Sequence, residues 1–122
     1  MNGFNSLSET GYLIVRVTTA LGAIPLENAS VTVRGSDEEN AQIVYSLTTD
    51  SDGKTERIPL PAPPRKNSET PYDDKPFSLY SIDVFADGYI PLYLNEVPVF
   101  SSVTSIQPAI MLPAPEGEEL RR

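Results

Sequence analysis

The chain contains no cysteine and no histidine among its 122 residues. Without cysteine the fold cannot depend on a disulfide, and without either residue the usual protein sites for zinc, copper and iron cannot be built. A Ser-His-Asp triad and a cysteine nucleophile are excluded for the same reason. The sequence therefore predicts a non-enzymatic protein with no catalytic residue and no cofactor, and only metals bound by oxygen ligands remain to be considered.

Positive charge and long apolar runs are also scarce. Nine basic residues against 17 acidic residues give a formal net charge of -8, which opposes binding to nucleic acid. No apolar run approaches the roughly 18 residues that span a bilayer, so no membrane insertion is predicted. The opening MNGFNSLSETG has neither a basic nor an apolar region, so no signal peptide is predicted. The compartment stays open between cytoplasmic synthesis alone, non-classical export and incorporation into a surface or coat structure.

Alternating apolar residues are what the chain has instead. In the stretch 77–91, Tyr80, Ile82, Val84 and Ala86 fall on one face of an extended chain. A helix would scatter these four side chains around its circumference, and their β-branched and aromatic character disfavours it further. The stretch therefore predicts a central strand that ends in a tight turn at residues 87–88.

The same alternation recurs along the chain, and no window shows a capped helical period. The predicted inward side chains of the other strands are Leu13, Val15, Val17, Ala29, Val31, Val33, Ile43, Tyr45, Leu47, Ile58 and Leu60. A short apolar segment at 89–96 and a last strand or pair at 97–112 follow the central strand; the apolar residues of the latter are Val97, Val99, Ile106, Ile110 and Leu112, with no face assigned to them. Ile24 and Leu26, in a predicted connection, are expected to close one end of the core. About seven strands at this spacing predict an all-β, seven-stranded antiparallel β-sandwich. A polar arm at 1–10 precedes the sandwich at 11–112, and an acidic, frayed tail follows at 113–122.

Several short motifs occur in a recognisable order. They are GYLIVRV from Gly11, PLENASVTV from Pro25, TTDSDGKT from Thr48 and YSIDVFADGYIP from Tyr80. In this order they resemble the carboxypeptidase regulatory-like domain, a transthyretin-like (prealbumin-like) β-sandwich. The resemblance implies an Ig-like Greek key and a structural, adhesive or accessory role. The insert at 61–76 departs from the family, which has a short link before the Tyr-initiated strand.

Acidic residues suggest two kinds of site that the spacing does not support. Asp50, Asp52 and Glu56 alternate as calcium ligands do, but the further ligands and the distal glutamate of an EF-hand are missing. A hairpin turn is predicted instead, in which Asp50 accepts backbone N–H groups and Gly53 takes a positive φ. The paired acids at 37–39 and 73–74 are interpreted as solvated charge. Structural turns are thus predicted at Asp50, Asp52 and Gly53 and at Asp87 and Gly88.

The segment 61–76, PAPPRKNSETPYDDKP, holds five prolines and is the longest predicted connection. Long connections without regular structure are often functional. A candidate interaction loop is formed by Pro64, Arg65, Lys66, Tyr72, Asp73 and Asp74, which suits docking to a protein or a cell-wall glycan. The prolines are equally consistent with a stiff crossover that prevents edge pairing.

Apolar residues also fall on the outward faces of the predicted strands. The candidates are Tyr12, Ile14, Val44, Phe85 and Tyr93. Outward apolar side chains in a two-sheet sandwich indicate cover by loops or contact with a neighbouring subunit. Two hypotheses follow. The first is a structural or assembly subunit of a bacterial surface, coat or particle structure. The second is a monomeric binding module that holds a protein or cell-wall glycan through the loop at 61–76.

Overall fold

Eight strands form two sheets in the computed structural model, which describes residues 9–64 and 77–115. The strands are β1 (Glu9–Thr19), β2 (Ile24–Pro25), β3 (Ser30–Gly35), β4 (Val44–Thr48), β5 (Ile58–Ala62), β6 (Phe77–Phe85), β7 (Leu92–Phe100) and β8 (Thr104–Ile110). Within the described residues the only helical pieces are two 3₁₀ turns, at Ala20–Gly22 and Glu38–Asn40. The predicted all-β sandwich is confirmed.

The first sheet, sheet A, is built around β1. Strand β8 pairs with one edge of β1, and β5 and the two-residue β2 pair with its other edge. The second sheet, sheet B, has the order β4-β3-β6-β7 and is antiparallel throughout. Two details differ from the prediction: β2 raises the strand count from seven to eight, and β1 and β8 run parallel.

The core lies between the sheets and follows the predicted alternation. Tyr80, Ile82 and Val84 of β6 are fully buried, and Ser78 continues their face at 7% exposure. The other buried apolar side chains are Leu13, Val15, Val17, Ala29, Val31, Val33, Ile58, Leu60, Ala62, Val97, Val99, Ala109 and Met111. Every side chain predicted to point inward either belongs to this cluster or, as with Ile43, Tyr45 and Leu47, packs partly buried against it.

Strand β7 contains a bulge that the sequence pattern hid. Tyr80 pairs with Val97 and Ile82 pairs with Leu94, so two residues of β7, Asn95 and Glu96, lie opposite Ser81. Glu96 has φ +59°, in the left-handed region. The extra residue shifts the inward positions from even to odd numbers along β7. The predicted separate segments at 89–96 and 97–112 are therefore joined at this point by one continuous strand.

One prediction about the end of the core needs correction. Ile24 does not close the core, because its side chain is 52% exposed on β2, whereas Leu26 does pack against the core. The predicted arm includes Glu9, which belongs to β1, and the predicted Pro-rich connection includes the last two residues of β5. At the start of the predicted frayed tail, the N–H of Ala114 donates to the carbonyl oxygen of Gly88 at 2.9 Å.

Tyr80 ties the two sheets together. Its ring is fully buried in the core, and its hydroxyl donates to the carbonyl oxygen of Pro61 on β5 at 2.6 Å. Burial, and after it the negative charge of Asp37, raise the pKa of the Tyr80 phenol above its ordinary value. The phenol therefore stays neutral in the folded protein at pH values where it would ionise in the unfolded chain.

We expect Tyr80→Phe to lower the free energy of unfolding by about 1–2 kcal/mol near neutral pH, because the carbonyl of Pro61 loses its donor. Above about pH 10 the unfolded wild-type chain gains stability by ionising Tyr80, so wild-type stability falls with rising pH. The Phe variant lacks this term and should show a shallower decline. Chemical denaturation from neutral to alkaline pH measures both effects.

The control is Tyr93→Phe, which removes the hydroxyl of a tyrosine that is 58% exposed. This variant should change the free energy of unfolding near neutral pH by no more than about 0.5 kcal/mol, because the substitution is on the surface. If the free energy of unfolding fell equally steeply with pH above about pH 10 in wild type and in Tyr80→Phe, the role assigned to Tyr80 would be contradicted.

Candidate functional site

In the part of the chain that the structure describes, the outer face of sheet A carries a row of exposed and half-buried apolar side chains. Leu13, Val15 and Val17 of β1 point into the core, so the alternate residues of β1 point outward. The parallel register places Ile14 beside Ile106. We call the outward set the β1–β8 face; it comprises Tyr12, Ile14, Arg16, Ile106, Pro108 and Ile110.

Exposure on the β1–β8 face is highest along β8. The side chain of Ile106 is 56% exposed and that of Ile110 is 42% exposed, while Ile14 between the strands is half-buried. A contiguous group of aliphatic side chains open to water on one sheet is typical of a protein-protein contact surface.

Basic side chains border the β1–β8 face. The guanidinium carbon of Arg57 lies 4.3 Å from the ring centroid of Tyr12, a cation–π contact. Lys54 pairs with Arg16 in an isolated antiparallel bridge, so both side chains lie on the outer side. Within the described residues, three of the four basic side chains lie on this face or beside it, and the fourth, Arg34, is paired with Asp83 on sheet B.

The outer face of sheet B carries an aromatic pair. The rings of Phe85 and Tyr93 meet edge to face with centroids 5.9 Å apart, and the two side chains are 42% and 58% exposed. Next to them is a shallow cleft of about 530 Å³, which we call the Phe85 cleft. Its lining includes Glu27, Asp87 and Tyr89, so carboxylates and aromatic rings lie together.

The predicted turn residues lie in two tight turns. One carboxylate oxygen of Asp50 accepts the N–H of Asp52 at 2.9 Å and the N–H of Lys54 at 3.0 Å. Gly53 has φ +78° and Gly88 has φ +86°, values that favour glycine. Asp87 and Gly88 line the Phe85 cleft. Asp50 thus stabilises its turn through hydrogen bonds to the backbone, and Asp87 lies at the edge of a cleft.

The described acids do not gather into a metal site. Within residues 9–64 and 77–115, no group of three or more potential ligands is close enough to hold a metal ion. Asp37, interpreted from the sequence as solvated charge, instead accepts the backbone N–H of Leu79 at 3.0 Å. In the same ranges no helix is long and apolar enough to cross a membrane.

The candidate residues are distributed over several places. The residues Arg65, Lys66, Tyr72, Asp73 and Asp74 of the candidate loop lie outside the described residues, and Pro64, the last residue described before them, is buried. The candidate apolar face is in fact two faces. Tyr12 and Ile14 lie on sheet A, and the other two candidates, like Val44, lie on sheet B.

Sequence reasoning missed the most exposed part of the β1–β8 face. Ile106 and Ile110 were assigned to a strand without an outward direction, and Arg57 was not singled out. The available signal was the spacing of Ala109 and Met111, the two buried residues of this segment. Their small size and flexibility, respectively, make them weak markers of a core-facing side beside two isoleucines.

No family model matches the chain, and no curated protein matches it. Solved structures do match. A catechol 1,2-dioxygenase from Acinetobacter superposes with a TM-score of 0.64 at 14% identity, over 95% of this chain and 56% of the enzyme chain. The minor pilin GBS52 from Streptococcus agalactiae superposes with a TM-score of 0.57 at 16% identity, over 92% of this chain and 48% of the pilin.

A third match is the TIE protein of Bacillus anthracis, with a TM-score of 0.57 at 16% identity, over 87% of this chain and 17% of that protein. The chain thus spans less than two thirds of the length of each of these structures. Identities this low establish a shared fold and nothing finer. The chain has a β-sandwich similar to regions of a bacterial minor pilin, the TIE protein and catechol dioxygenases.

Proposed function

We propose that this chain is a non-enzymatic β-sandwich module that acts as a structural or assembly subunit of a bacterial surface, coat or particle structure. The observation that carries the proposal is the β1–β8 face, where isoleucines of β8 are exposed beside a half-buried isoleucine of β1. Covering apolar surface contributes roughly 25 cal/mol per Å², so a partner seated on this face gains a sizeable stabilisation.

The border of the face suits a protein partner. Arginine and tyrosine are enriched among residues that dominate binding energy in protein interfaces, and Arg57 and Tyr12 are already held against each other. The fold-level similarity to a minor pilin supports a role in a surface structure. The order of the sequence motifs supports the finer assignment to a transthyretin-like module of the carboxypeptidase regulatory-like type.

A monomeric binding module is the second candidate, and the Phe85 cleft favours it. Aromatic rings beside the carboxylates of Glu27 and Asp87 form a concave surface with both apolar and hydrogen-bonding groups, as ligand sites do. A protein segment or a cell-wall glycan would be its ligand. A chain that stays monomeric at high concentration would favour this candidate over assembly.

The assembly proposal is tested by sedimentation velocity across a wide range of protein concentration. Wild type is expected to form larger species as concentration rises. Ile106→Asp should weaken this association at least about tenfold, because it places a charge where apolar surface must be covered.

The matched control is Ile106→Val, which keeps a β-branched apolar side chain at the same position and should associate like wild type. Thermal denaturation establishes that both variants fold. A wild-type protein that remains monomeric throughout, or equal association of the Asp and Val variants, would overturn the use of this face.

A further inference from the structure

We infer that the outer edge of β4 is the site at which a second copy of this chain adds to sheet B by antiparallel strand pairing. The inference rests on the proposed assembly function and specifies one contact through which it occurs. It is carried by the placement of proline in the strands and by the composition of β4.

Prolines in sheet A all point their nitrogen away from β1. The backbone N–H and C=O groups of Tyr12 and Thr18 point toward β8. The N–H of Tyr12 donates to the carbonyl oxygen of Val103, and the carbonyl oxygen of Thr18 accepts the N–H of Met111. The antiparallel partners of these two β1 residues are Pro59 and Pro25. Their nitrogens therefore face the outer edge, where a missing N–H does not disrupt the sheet.

The remaining strand prolines follow the same rule. The carbonyl of Thr10 accepts the N–H of Ser102, so its antiparallel partner Pro61 also faces outward. Along β8, Val103 and Met111 form backbone hydrogen bonds to β1, so the backbone groups of the odd-numbered residues point toward β1. The nitrogen of Pro108, an even-numbered residue, therefore points to the outer edge of β8.

In sheet B, both backbone groups of Leu79 are used on the β3 side, by Ser36 and Asp37. Its antiparallel partner on β7, Pro98, thus turns its nitrogen to the outer edge.

These prolines block addition of a further strand at four of the five edge strands. A proline that faces outward removes a donor that an incoming strand would need, and edge prolines are a common protection against pairing between molecules. Strand β4 is different, because its sequence VYSLT has neither a proline nor a charged residue. Among the described residues, β3 is the only strand that pairs with it.

Within the described ranges, the outer edge of β4 carries backbone groups that no strand pairs. The N–H of Gly35 donates to the carbonyl of Ile43, which assigns the odd-numbered residues of this segment to the β3 side. The backbone groups of Val44, Ser46 and Thr48 therefore point to the open edge. The side chains of these three residues are exposed on the outer face of sheet B.

A second copy fits this edge better than an arbitrary strand because the segment is self-complementary. A two-fold axis at Ser46 pairs Ser46 with its equivalent and Val44 with Thr48 of the second copy. The three hydrogen-bonded pairs would supply about six backbone bonds. Two chains of net charge -8 repel each other, and β4 offers a contact without opposed like charges.

The inner face of β4 gains from the same contact. Tyr45 and Leu47 pack against the core only in part, since β4 is the last strand of its sheet. In the two-fold arrangement Tyr45 lies across from Leu47 of the second copy, so both become more buried. The two copies of sheet B then form one continuous eight-stranded sheet.

The test is a charge exchange at Ser46. Ser46→Lys and Ser46→Glu each place two like charges opposite one another across the axis, and each should raise the dissociation constant at least about tenfold by sedimentation. An equimolar mixture of the two variants should restore association, because lysine then faces glutamate. Ser30→Lys, an exposed site on β3 of the same sheet, is the control and should associate like wild type.

Ser46→Pro provides a second variant, since it reproduces at β4 the placement seen at Pro98 and leaves the bonds to β3 intact. It should abolish the contact without loss of thermal stability. Wild-type association that none of the Ser46 changes weakens would overturn this inference and leave the proposed function standing. A monomeric wild type would overturn both. Loss of association in both charged variants without recovery in the mixture would overturn the two-fold register.

Discussion

Replacing Ile82 with alanine is expected to lower the free energy of unfolding by about 3–4 kcal/mol. The side chain is fully buried at the middle of β6, between Val33 of β3 and Leu94 of β7. Truncation leaves a cavity in the plane where the two sheets meet, and neighbours on regular strands relax little to fill it. Urea denaturation measures the loss, and the slope of the free energy of unfolding against urea concentration should stay unchanged.

The matched control is Ile90→Ala, the same truncation at a side chain that is 45% exposed. Its cost should not exceed about 1 kcal/mol, because little apolar surface returns to water. Similar losses at the two positions would contradict the position of the core.

Replacing Gly53 with alanine is expected to lower the free energy of unfolding by about 3 kcal/mol or more. The residue has φ +78°, and a Cβ added there would lie 2.4 Å from the carbonyl oxygen of Val17 and 3.1 Å from the Cβ of Pro25. The left-handed conformation costs an alanine about 1–2 kcal/mol, and the backbone clash adds to this. The clash also disturbs the 2.7 Å bond from the N–H of Val17 to the carbonyl of Gly53.

Gly88→Ala separates the two contributions. Gly88 has φ +86°, but among the described residues, apart from its two chain neighbours, no atom lies within 4 Å of its added Cβ. This variant should lose only the conformational term, about 1–2 kcal/mol. If thermal or urea denaturation gave the same loss for both glycines, the close approach of the 50–53 turn to β1 would be refuted.

The core was predictable because a strand with one buried face has an apolar residue at every second position of its sequence. Tyr80, Ile82 and Val84 are bulky and alternate with polar or exposed neighbours, so their direction could be predicted. The same holds for Val31 and Val33 in β3. The alternation can be seen within one short stretch of sequence, even though the residues that pack against these side chains are far away along the chain.

The pairing of strands was less predictable. Alternation does not encode whether β8 runs parallel or antiparallel to β1, and the bulge at Asn95 and Glu96 reverses the alternation within β7. Ile24 is apolar but lies on a two-residue edge strand beyond the 3₁₀ turn that contains Leu21 at φ +58°. Its exposure follows from the path of the chain, which composition does not define.

The candidate surfaces were predictable only as outward positions. Tyr12 and Phe85 point outward as their strand positions require, but only the order of strands shows that they lie on opposite sheets. The protective role of Pro98 and Pro108 depends on which backbone groups face a neighbour. That information exists only once the register is known.

The parallel pairing of β1 and β8 has a mechanical consequence. Seven consecutive residue pairs, from Tyr12 with Thr104 to Thr18 with Ile110, join the two strands. Tension that pulls backward on the start of β1 and forward on the end of β8 would act along the strands in opposite directions. All the bonds of the ladder would then be loaded in shear at once, whereas a hairpin pulled at its open end unzips one bond after another. The joint is thus arranged to withstand stretching along the strand axis.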